Sequence, residues 1–231
     1  NNHNEIQSEV KLKLTSKQKA KEDNCPVLPT AEKFTKKHLV TCLNPDYICN
    51  FYQKCILSGF FLTKNSIPET QLKVLILGAG IGSIGVYINQ IFGSNVVIES
   101  VEIDKKFKEM GEKYFGFKEF NENSWHFVDG LQYVEDQVKL GKKYDIIIND
   151  INNFNSEEGV SPPTPFFKEN FLGNVYTLLS DYGLYILNFI TRSNNKFLEI
   201  SKILKEKFSK VLYVENNDEL NKIHYLLKCE E

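Results

Sequence analysis

The chain has 231 residues, of which 42% are hydrophobic and 25% are charged. This length suits one sizeable domain with at most a small accessory piece, and the composition is ordinary for a globular protein. The formal net charge of −2 gives no basic field for nucleic acid, and no apolar run approaches the ~20 residues that a membrane-spanning helix needs. We therefore expect neither a nucleic-acid partner nor a membrane partner.

The cysteine content points to a reducing compartment. The five cysteines are an odd number and include no C-x-x-C pair. This usage indicates reduced thiols, a cytoplasmic location and no metal site. The chain starts at Asn1 and shows no secretory signal, so we expect it to be a piece of a longer protein.

The first 65 residues carry two element patterns. Residues 5–14 alternate between apolar and polar side chains, as a half-buried strand does, and residues 46–62 place apolar side chains at helical spacing. A regular alternation of elements begins only after Pro68. We therefore divide the chain into a strand-and-helix extension over 1–65 and a main domain over 66–231.

After Pro68, strand and helix patterns alternate as they do in a parallel α/β sheet. The predicted strands are 74–77, 96–101, 125–128, 144–149 and 184–189, and the predicted helices are 84–92, 105–115, 131–139, 170–179 and 196–208. The last two strands, 211–215 and 222–228, leave no room for a helix between them and so form an antiparallel hairpin. A seven-stranded, Rossmann-like α/β sheet that ends in this way is typical of class I methyltransferases.

A glycine-rich turn follows the first strand of the main domain. Gly78, Gly80 and Gly82 let the backbone leave the strand tightly and lie close to a ligand. Glu102 ends the second strand, where a carboxylate can bind a ribose diol, and its neighbour Ile103 joins it as a cofactor-binding candidate. This combination predicts a nucleoside-containing cofactor and leaves NAD, FAD and S-adenosyl-L-methionine open.

An acid and a glycine after the third strand narrow that choice. Asp129 can accept a hydrogen bond from the exocyclic amine of adenine, while the backbone N–H of Gly130 faces the ring. This pair favours S-adenosyl-L-methionine, and too few residues follow Glu102 to build the separate substrate domain of a dehydrogenase. The alternative for Asp129 is a helix N-cap, a position that favours Asp.

Three polar side chains lie where two predicted strands end. Asp150 and Asn152 follow the strand over 144–149, and Asn188 lies near the end of the strand over 184–189. Open α/β sheets bind their ligands at this edge. We predict that Asp150 orients an incoming amine and that the two asparagines supply further acceptors. The alternative for Asp150 is loop capping.

The motifs together resemble a known family. VLILGAGIGS, VEID, VDG, DIIIND, SPPTPF and GLYILN occur in the order that is typical of the spermidine-synthase-like branch of class I methyltransferases. Within that branch, the IQSEVKL segment and the GVSPPTPFF loop make the chain most similar to the C-terminal domain of the elongation factor 1-alpha lysine and N-terminal methyltransferases. The resemblance covers most of the chain.

This resemblance implies an enzyme that methylates the N-terminal α-amine of elongation factor 1-alpha with S-adenosyl-L-methionine. The residues that it assigns to the cofactor are Gly78, Gly80, Gly82, Glu102, Asp129 and Gly130. It assigns Asp150, Asn152 and Asn188 to the substrate amine, although the family usually shows a second acid where Asn152 stands. Gln7 matches a cofactor-touching glutamine of the aminopropyltransferases.

Two other functions compete with this one. The first is a spermidine-synthase-like aminopropyltransferase, which would bind the decarboxylated cofactor. That class has an Asp-rich loop where this chain has INNFNSEEG, and Tyr-His-Glu where it has Tyr52-Gln53-Lys54. The second is a catalytically silent methyltransferase fold that binds a partner protein, which the intact cofactor motifs disfavour.

Overall fold

The structure is a computed structural model, and the residues it describes fall in nine segments of the chain. These segments are 12–16, 18–19, 39–43, 48, 50–62, 71–115, 124–152, 159–216 and 219–228. The predicted strand over 5–14 therefore lies mostly outside the described residues, and so does Gln7.

The described residues form ten strands and six α-helices. The strands are β1 (Leu12–Ser16), β2 (Leu39–Leu43), β3 (Leu72–Leu77), β4 (Val96–Val101), β5 (Ser124–His126), β6 (Tyr144–Asn149), β7 (Val160–Ser161), β8 (Leu179–Thr191), β9 (Lys210–Glu215) and β10 (Asn221–Leu227). The α-helices are α1 (Phe51–Ser58), α2 (Ser83–Phe92), α3 (Lys105–Phe115), α4 (Gly130–Lys139), α5 (Glu169–Leu178) and α6 (Asn194–Lys207).

One large sheet organises the main domain. Its strands lie in the order β5-β4-β3-β6-β8-β10-β9, and β7 pairs with the end of β8. The strands from β5 to β8 along this order are parallel, whereas β10 is antiparallel to both β8 and β9. The predicted α/β sheet with an antiparallel C-terminal hairpin is confirmed. Because the strand order reverses between β3 and β6, a crevice is expected outside their carboxyl ends.

The strand sequences alternate between two buried cores. Val74 and Ile76 of β3 pack in one core with α1 and α2, while Leu75 and Leu77 pack in the other with α4, α5 and α6. The strands β6 and β8 alternate in the same way. Each fully buried aliphatic side chain contributes about 1.5–3 kcal/mol of transfer free energy. Both faces of the sheet are therefore anchored, which fixes the positions of the strand ends.

Most predicted elements agree with the structure within a few residues, and two differ in an informative way. The first helix begins at Phe51 rather than at 46, because residues 48 and 50 are not helical. The strand β8 runs well beyond the predicted 184–189, since its pairing continues past an irregularity at Tyr182, which has a φ of 60°. The sequence patterns did not indicate β2 or β7.

The boundary at residue 65 between an extension and a main domain stays a prediction. The strands β1 and β2 pair with each other in antiparallel fashion as a separate two-stranded sheet. Within the described ranges, no helix combines the length and apolar character required to cross a membrane.

His224 of β10 is buried among aromatic rings. Its ring centroid lies 5.9 Å from Phe189, 5.9 Å from Phe197 and 5.4 Å from Tyr213. Its Nδ1 lies 3.2 Å from the carbonyl oxygen of Lys222, while Nε2 is buried and has no hydrogen-bond partner in the described structure. Burial lowers the pKa of His224 to about 4, and the nearby Lys222 charge acts in the same direction.

This histidine makes the stability of the fold depend on pH. The unfolded chain binds a proton at His224 near its ordinary pKa of about 6.5, whereas the folded chain resists it until about 4. Its contribution to the free energy of unfolding is therefore complete above 6.5 and is lost as the pH falls toward 4, by a total on the order of 3 kcal/mol. Urea denaturation at pH 7.5, 5.5 and 4 measures this loss.

The matched variant is His224→Phe, which keeps an aromatic ring and removes the titrating group. We expect the pH dependence of its unfolding free energy to be shallower than that of the unmodified protein over this range. Parallel curves for the two proteins would contradict the assignment of the effect to His224.

Candidate functional site

The three glycines of the turn after β3 serve different purposes. Gly78 has a φ of 78°, and a Cβ there would lie 2.7 Å from the Cα of Ile151. Gly82 has a φ of 94°, and a Cβ there would lie 3.1 Å from the Trp125 ring. Gly80 has a φ of 56° and no heavy atom within 4 Å of its Cβ position. Only Gly80 therefore faces open space that a ligand could use.

Glu102 connects the end of β4 to this turn. Its Oε2 accepts a hydrogen bond from the Gly80 N–H at 2.8 Å, and its Oε1 accepts one from the Asp104 N–H at 3.1 Å. The side chain is 8% exposed, whereas the next residue, Ile103, is 71% exposed. The two candidates thus present an oriented carboxylate and an uncovered apolar surface side by side.

Asp129 occupies the N-cap position of α4. Its Oδ1 accepts hydrogen bonds from the N–H groups of Leu131 at 2.7 Å and Gln132 at 3.4 Å. Gly130 is buried, and a Cβ there would lie 3.2 Å from Cδ1 of Ile151. The N-cap alternative therefore describes the local structure. It is compatible with a cofactor role, because both capping bonds use the same carboxylate oxygen and the residue is exposed.

Asp150 lies where β6 ends, directly beside the glycine turn. Its N–H donates to the carbonyl oxygen of Leu77 at 2.9 Å, and its Oδ1 accepts a hydrogen bond from Nδ2 of Asn188 at 2.7 Å. Burial raises the pKa of Asp150 to about 7, against the opposing effect of the Asn188 hydrogen bond. The structure thus brings Asp150 and Asn188 together, as the positions of the strand ends predict.

The orientation of Asn188 depends on a residue that the sequence did not single out. Asn188 is 5% exposed, and its Oδ1 accepts a hydrogen bond from Nδ2 of Asn221 at 3.0 Å. Its amide is therefore bonded at both ends, to Asp150 and to Asn221. In this geometry Asn188 supports Asp150, and its carbonyl oxygen is already engaged.

Helix α1 brings a second unpredicted group to the site. The negative charge of Asp150 is the largest cause of a raised pKa at Tyr52, and burial acts in the same direction. Gln53, the next residue, donates from Nε2 to the Ser83 Oγ at 3.3 Å at the start of α2. We refer to Asp150, Asn188 and Tyr52 together as the amine pocket.

Asn152 is exposed to solvent. Its Oδ1 accepts a hydrogen bond from the Ser161 Oγ at 3.3 Å, and the same hydroxyl lies 3.1 Å from the carbonyl oxygen of Ile151. Asn152 therefore ties the segment after β6 to β7. Its predicted role as an acceptor for the substrate amine stays a prediction.

Comparison with known proteins places the chain among enzymes of related fold. The profile of the spermine/spermidine synthase domain matches residues 50–215. The chain is 31% identical to the eEF1A lysine and N-terminal methyltransferase of Xenopus laevis over 231 residues, which cover 96% of this chain and 33% of that protein. It therefore spans about a third of the length of that relative.

A solved structure and a second relative extend this comparison. The crystal structure of human methyltransferase-like protein 13 in complex with SAH superposes with a TM-score of 0.72 at 27% identity, covering 79% of this chain and 83% of that one. The polyamine aminopropyltransferase of Vibrio vulnificus (strain CMCP6) is 28% identical over 142 residues, covering 62% of this chain and 44% of that protein. The predicted class I methyltransferase fold is confirmed.

The open space above Gly80 makes a testable prediction. Gly80→Ala places a methyl group over the turn, so we expect it to weaken S-adenosylhomocysteine binding about tenfold or more while the fold is retained, because a Cβ there meets no protein atom. Isothermal titration calorimetry measures the binding and thermal denaturation checks the fold.

Gly141→Ala is the matched control for this substitution. Gly141 has a φ of 67° and also has nothing within 4 Å of its Cβ position. The backbone strain of the two variants is therefore similar, and only their positions relative to the turn differ. Equal binding by the two variants would contradict a ligand site over Gly80.

Proposed function

This chain belongs to the spermine/spermidine synthase domain family, and we propose that it transfers a methyl group from S-adenosyl-L-methionine to the N-terminal α-amine of elongation factor 1-alpha. The observation that carries the proposal is the position of Asp150. Its partly buried carboxylate stands next to a turn whose Gly80 faces open space and whose geometry is held by Glu102. The name of the Xenopus relative supports both the reaction and the substrate, and the human structure in complex with SAH supports the cofactor.

The nucleoside end of the cofactor fits the residues at the ends of β4 and β5. The Glu102 carboxylate, already oriented by two N–H groups, would accept hydrogen bonds from the ribose hydroxyls. The exposed side chain of Ile103 offers an apolar face for the adenine ring, and Asp129 offers its second carboxylate oxygen to the exocyclic amine. Gly78, Gly82 and Gly130 would shape this site through the close backbone and ring contacts that their missing Cβ atoms allow.

Asp150 is suited to an α-amine. When bound, S-adenosyl-L-methionine supplies a methyl group on a positively charged sulfur. The acceptor must be a neutral amine, because its nitrogen needs a lone pair to bond the methyl group as the bond to sulfur breaks. An α-amine has a pKa of about 7.7–8.0, and a lysine side chain has one of about 10.4. The pKa of Asp150 is raised to about 7. Proton transfer from an α-ammonium to this carboxylate is therefore only slightly unfavourable, whereas transfer from a lysine is much less favourable.

The surrounding groups would orient the amine without adding charge. Asn188 holds one oxygen of Asp150 by a hydrogen bond, which leaves the other oxygen to receive an N–H of the substrate. Asn152 and Asn188 are neutral, whereas polyamine substrates carry several positive charges. This supports an acceptor with a single amine over an aminopropyltransferase substrate. The proposal also keeps the cytoplasmic location that the cysteine content predicts.

Two substitutions separate cofactor binding from turnover. Glu102→Ala removes the ribose acceptor, so we expect the affinity for S-adenosylhomocysteine to fall at least about tenfold. Asp150→Asn keeps the shape of the side chain and loses the base, so we expect binding to be retained while methylation of an N-terminal peptide falls about a hundredfold. Calorimetry and incorporation of labelled methyl groups measure the two effects.

The exposed residue Asn195 of α6 provides the control for both assays, because Asn195→Ala should match the unmodified protein. Normal methylation by Asp150→Asn would rule out the role of Asp150. Preference for the decarboxylated cofactor would favour an aminopropyltransferase. Partner binding without any methyl incorporation would favour a silent binding module.

The raised pKa of Asp150 also predicts that this residue, which is proposed to support methyl transfer, lowers the free energy of unfolding at neutral pH. The folded chain holds the proton of Asp150 up to about pH 7, whereas the unfolded chain loses it near 3.8. The contribution of Asp150 to the free energy of unfolding therefore decreases as the pH rises from 3.8 through 7. We expect Asp150→Asn to have a higher Tm than the unmodified protein at pH 8, with a smaller difference at pH 5. An equal or lower Tm at pH 8 would contradict a raised pKa at Asp150.

A further inference from the structure

We propose that the β9–β10 hairpin positions the amine pocket through two side chains, Asn221 and Glu219. This inference rests on the proposed function, because it assigns the two residues to the same site. Asn221 is the first residue of β10 and Glu219 lies just before it, so one short segment of chain carries both. Each acts through another residue, and both are therefore positioning residues.

Asn221 sets the orientation of the Asn188 amide. The two residues are diagonal neighbours on β10 and β8, because Asn221 pairs with Ile190 and Ile223 pairs with Asn188. Asn221 donates its Nδ2–H to Oδ1 of Asn188 at 3.0 Å. Since the carbonyl end of Asn188 is thereby engaged, its NH2 end is the one that meets Asp150, at 2.7 Å.

This orientation controls the charge of Asp150. A donor facing a carboxylate favours its ionised form, and the Asn188 hydrogen bond does lower the pKa of Asp150 against the larger effect of burial. If the amide turned over, a carbonyl oxygen would face the carboxylate and favour the protonated form instead. The group that contacts Asp150 is this amide from β8, and Tyr52 of α1 interacts with the same carboxylate electrostatically.

Glu219 positions Tyr52, the member of the amine pocket that lies on α1, by capping that helix. Its Oε1 accepts a hydrogen bond from the Phe51 N–H at 3.0 Å, and its Oε2 accepts one from the Tyr52 N–H at 3.1 Å. The helix makes no side-chain cap of its own, since Asn50 at the N-cap forms no such bond. A carboxylate from a distant hairpin thus satisfies the first backbone donors of the helix and interacts favourably with its dipole.

The hairpin is braced near the same end. Lys222 of β10 pairs directly with Glu215 of β9, and their side chains form an ion pair. Glu215 precedes and Lys222 follows the segment that carries Glu219 and Asn221, so this contact closes the hairpin end around that segment. One hairpin end therefore contacts both Asn188 on β8 and the start of α1, which carries Tyr52.

The decisive substitution is Asn221→Asp, which has the same shape but cannot donate a hydrogen bond. Asn188 then lies between two carboxylates, and turning its NH2 end toward position 221 would direct its carbonyl end at Asp150. We expect the pKa of Asp150 to rise by about one pH unit. A carbon-13 NMR titration of the aspartate carboxyl groups measures this in the intact chain, with Asp150→Asn identifying the signal. Asn195→Asp, with the same charge change at an exposed site, should leave the titration unchanged.

A double-mutant cycle separates the effect of turning the Asn188 amide from the direct effect of the added charge at position 221. In an Asn188→Leu background, Asn221→Asp has no amide to turn, so its effect on the Asp150 titration should shrink to the direct effect of the added charge. A shift of equal size in both backgrounds, or no shift in either, would overturn the inference for Asn221. Retained S-adenosylhomocysteine binding shows that each variant is folded.

Methylation kinetics test the role of Glu219 and the proposed methyltransferase function separately. We expect Asn221→Asp to lower kcat/KM for an N-terminal peptide about tenfold at pH 7 and to move the midpoint of its pH profile upward. Glu219→Ala should raise the KM for the peptide about fivefold with an unchanged dissociation constant for S-adenosylhomocysteine. An unchanged peptide KM would overturn the role of Glu219. If Asn221→Asp shifts the Asp150 titration but the unmodified protein does not methylate the peptide, the proposed function is rejected. The role of Asn221 in orienting Asn188 is then still supported.

Discussion

The close approach of two chain segments at the carboxyl ends of β3 and β6 is the constraint on which the site depends. Gly78 has no Cβ because the backbone of Asp150 and Ile151 occupies that space. The Asp150 N–H donates to Leu77, and the Gly78 N–H donates to Val101, so three strand ends are joined by backbone hydrogen bonds. The proposed cofactor site and the amine pocket meet because these segments touch.

The two cores explain how such a contact is held. Alternate residues of β3, β6 and β8 are anchored on opposite faces of the sheet, so a strand cannot slide or rotate without exposing apolar side chains on both sides. The ends of the strands therefore have little freedom, and side chains placed there keep their relative positions. A catalytic carboxylate on a strand end of this kind gains precision from the whole sheet.

The sequence predicted the elements and the residues whose roles depend on local order. The strands over 96–101 and 144–149 agree with the structure to the residue, because each is a short apolar run bounded by turn or polar residues. Glu102 and Asp150 could be located because each directly follows such a run. The start of α1 was predicted too early, since its cap is Glu219, which lies 167 residues from Tyr52 along the chain.

The remaining differences share one physical cause. Asn221 and Asn188 interact because two antiparallel strands place them diagonally, and no local pattern encodes that register. The different roles of Gly78, Gly80 and Gly82 likewise depend on which atoms from distant parts of the chain approach each of them. Local sequence reports backbone preference, whereas these roles are set by contacts between segments that are far apart in the chain.

The hydrogen bond from Gly80 to Glu102 has an evolutionary consequence. The Glu102 carboxylate accepts a hydrogen bond from the glycine turn and, in the proposed function, also binds the ribose hydroxyls. A lineage that lost this acid would lose the shape of the turn together with its cofactor, so the position can change only if two selective pressures relax at once. The neighbouring Ile103 is exposed, so its substitution would test ligand fit with far less effect on the fold.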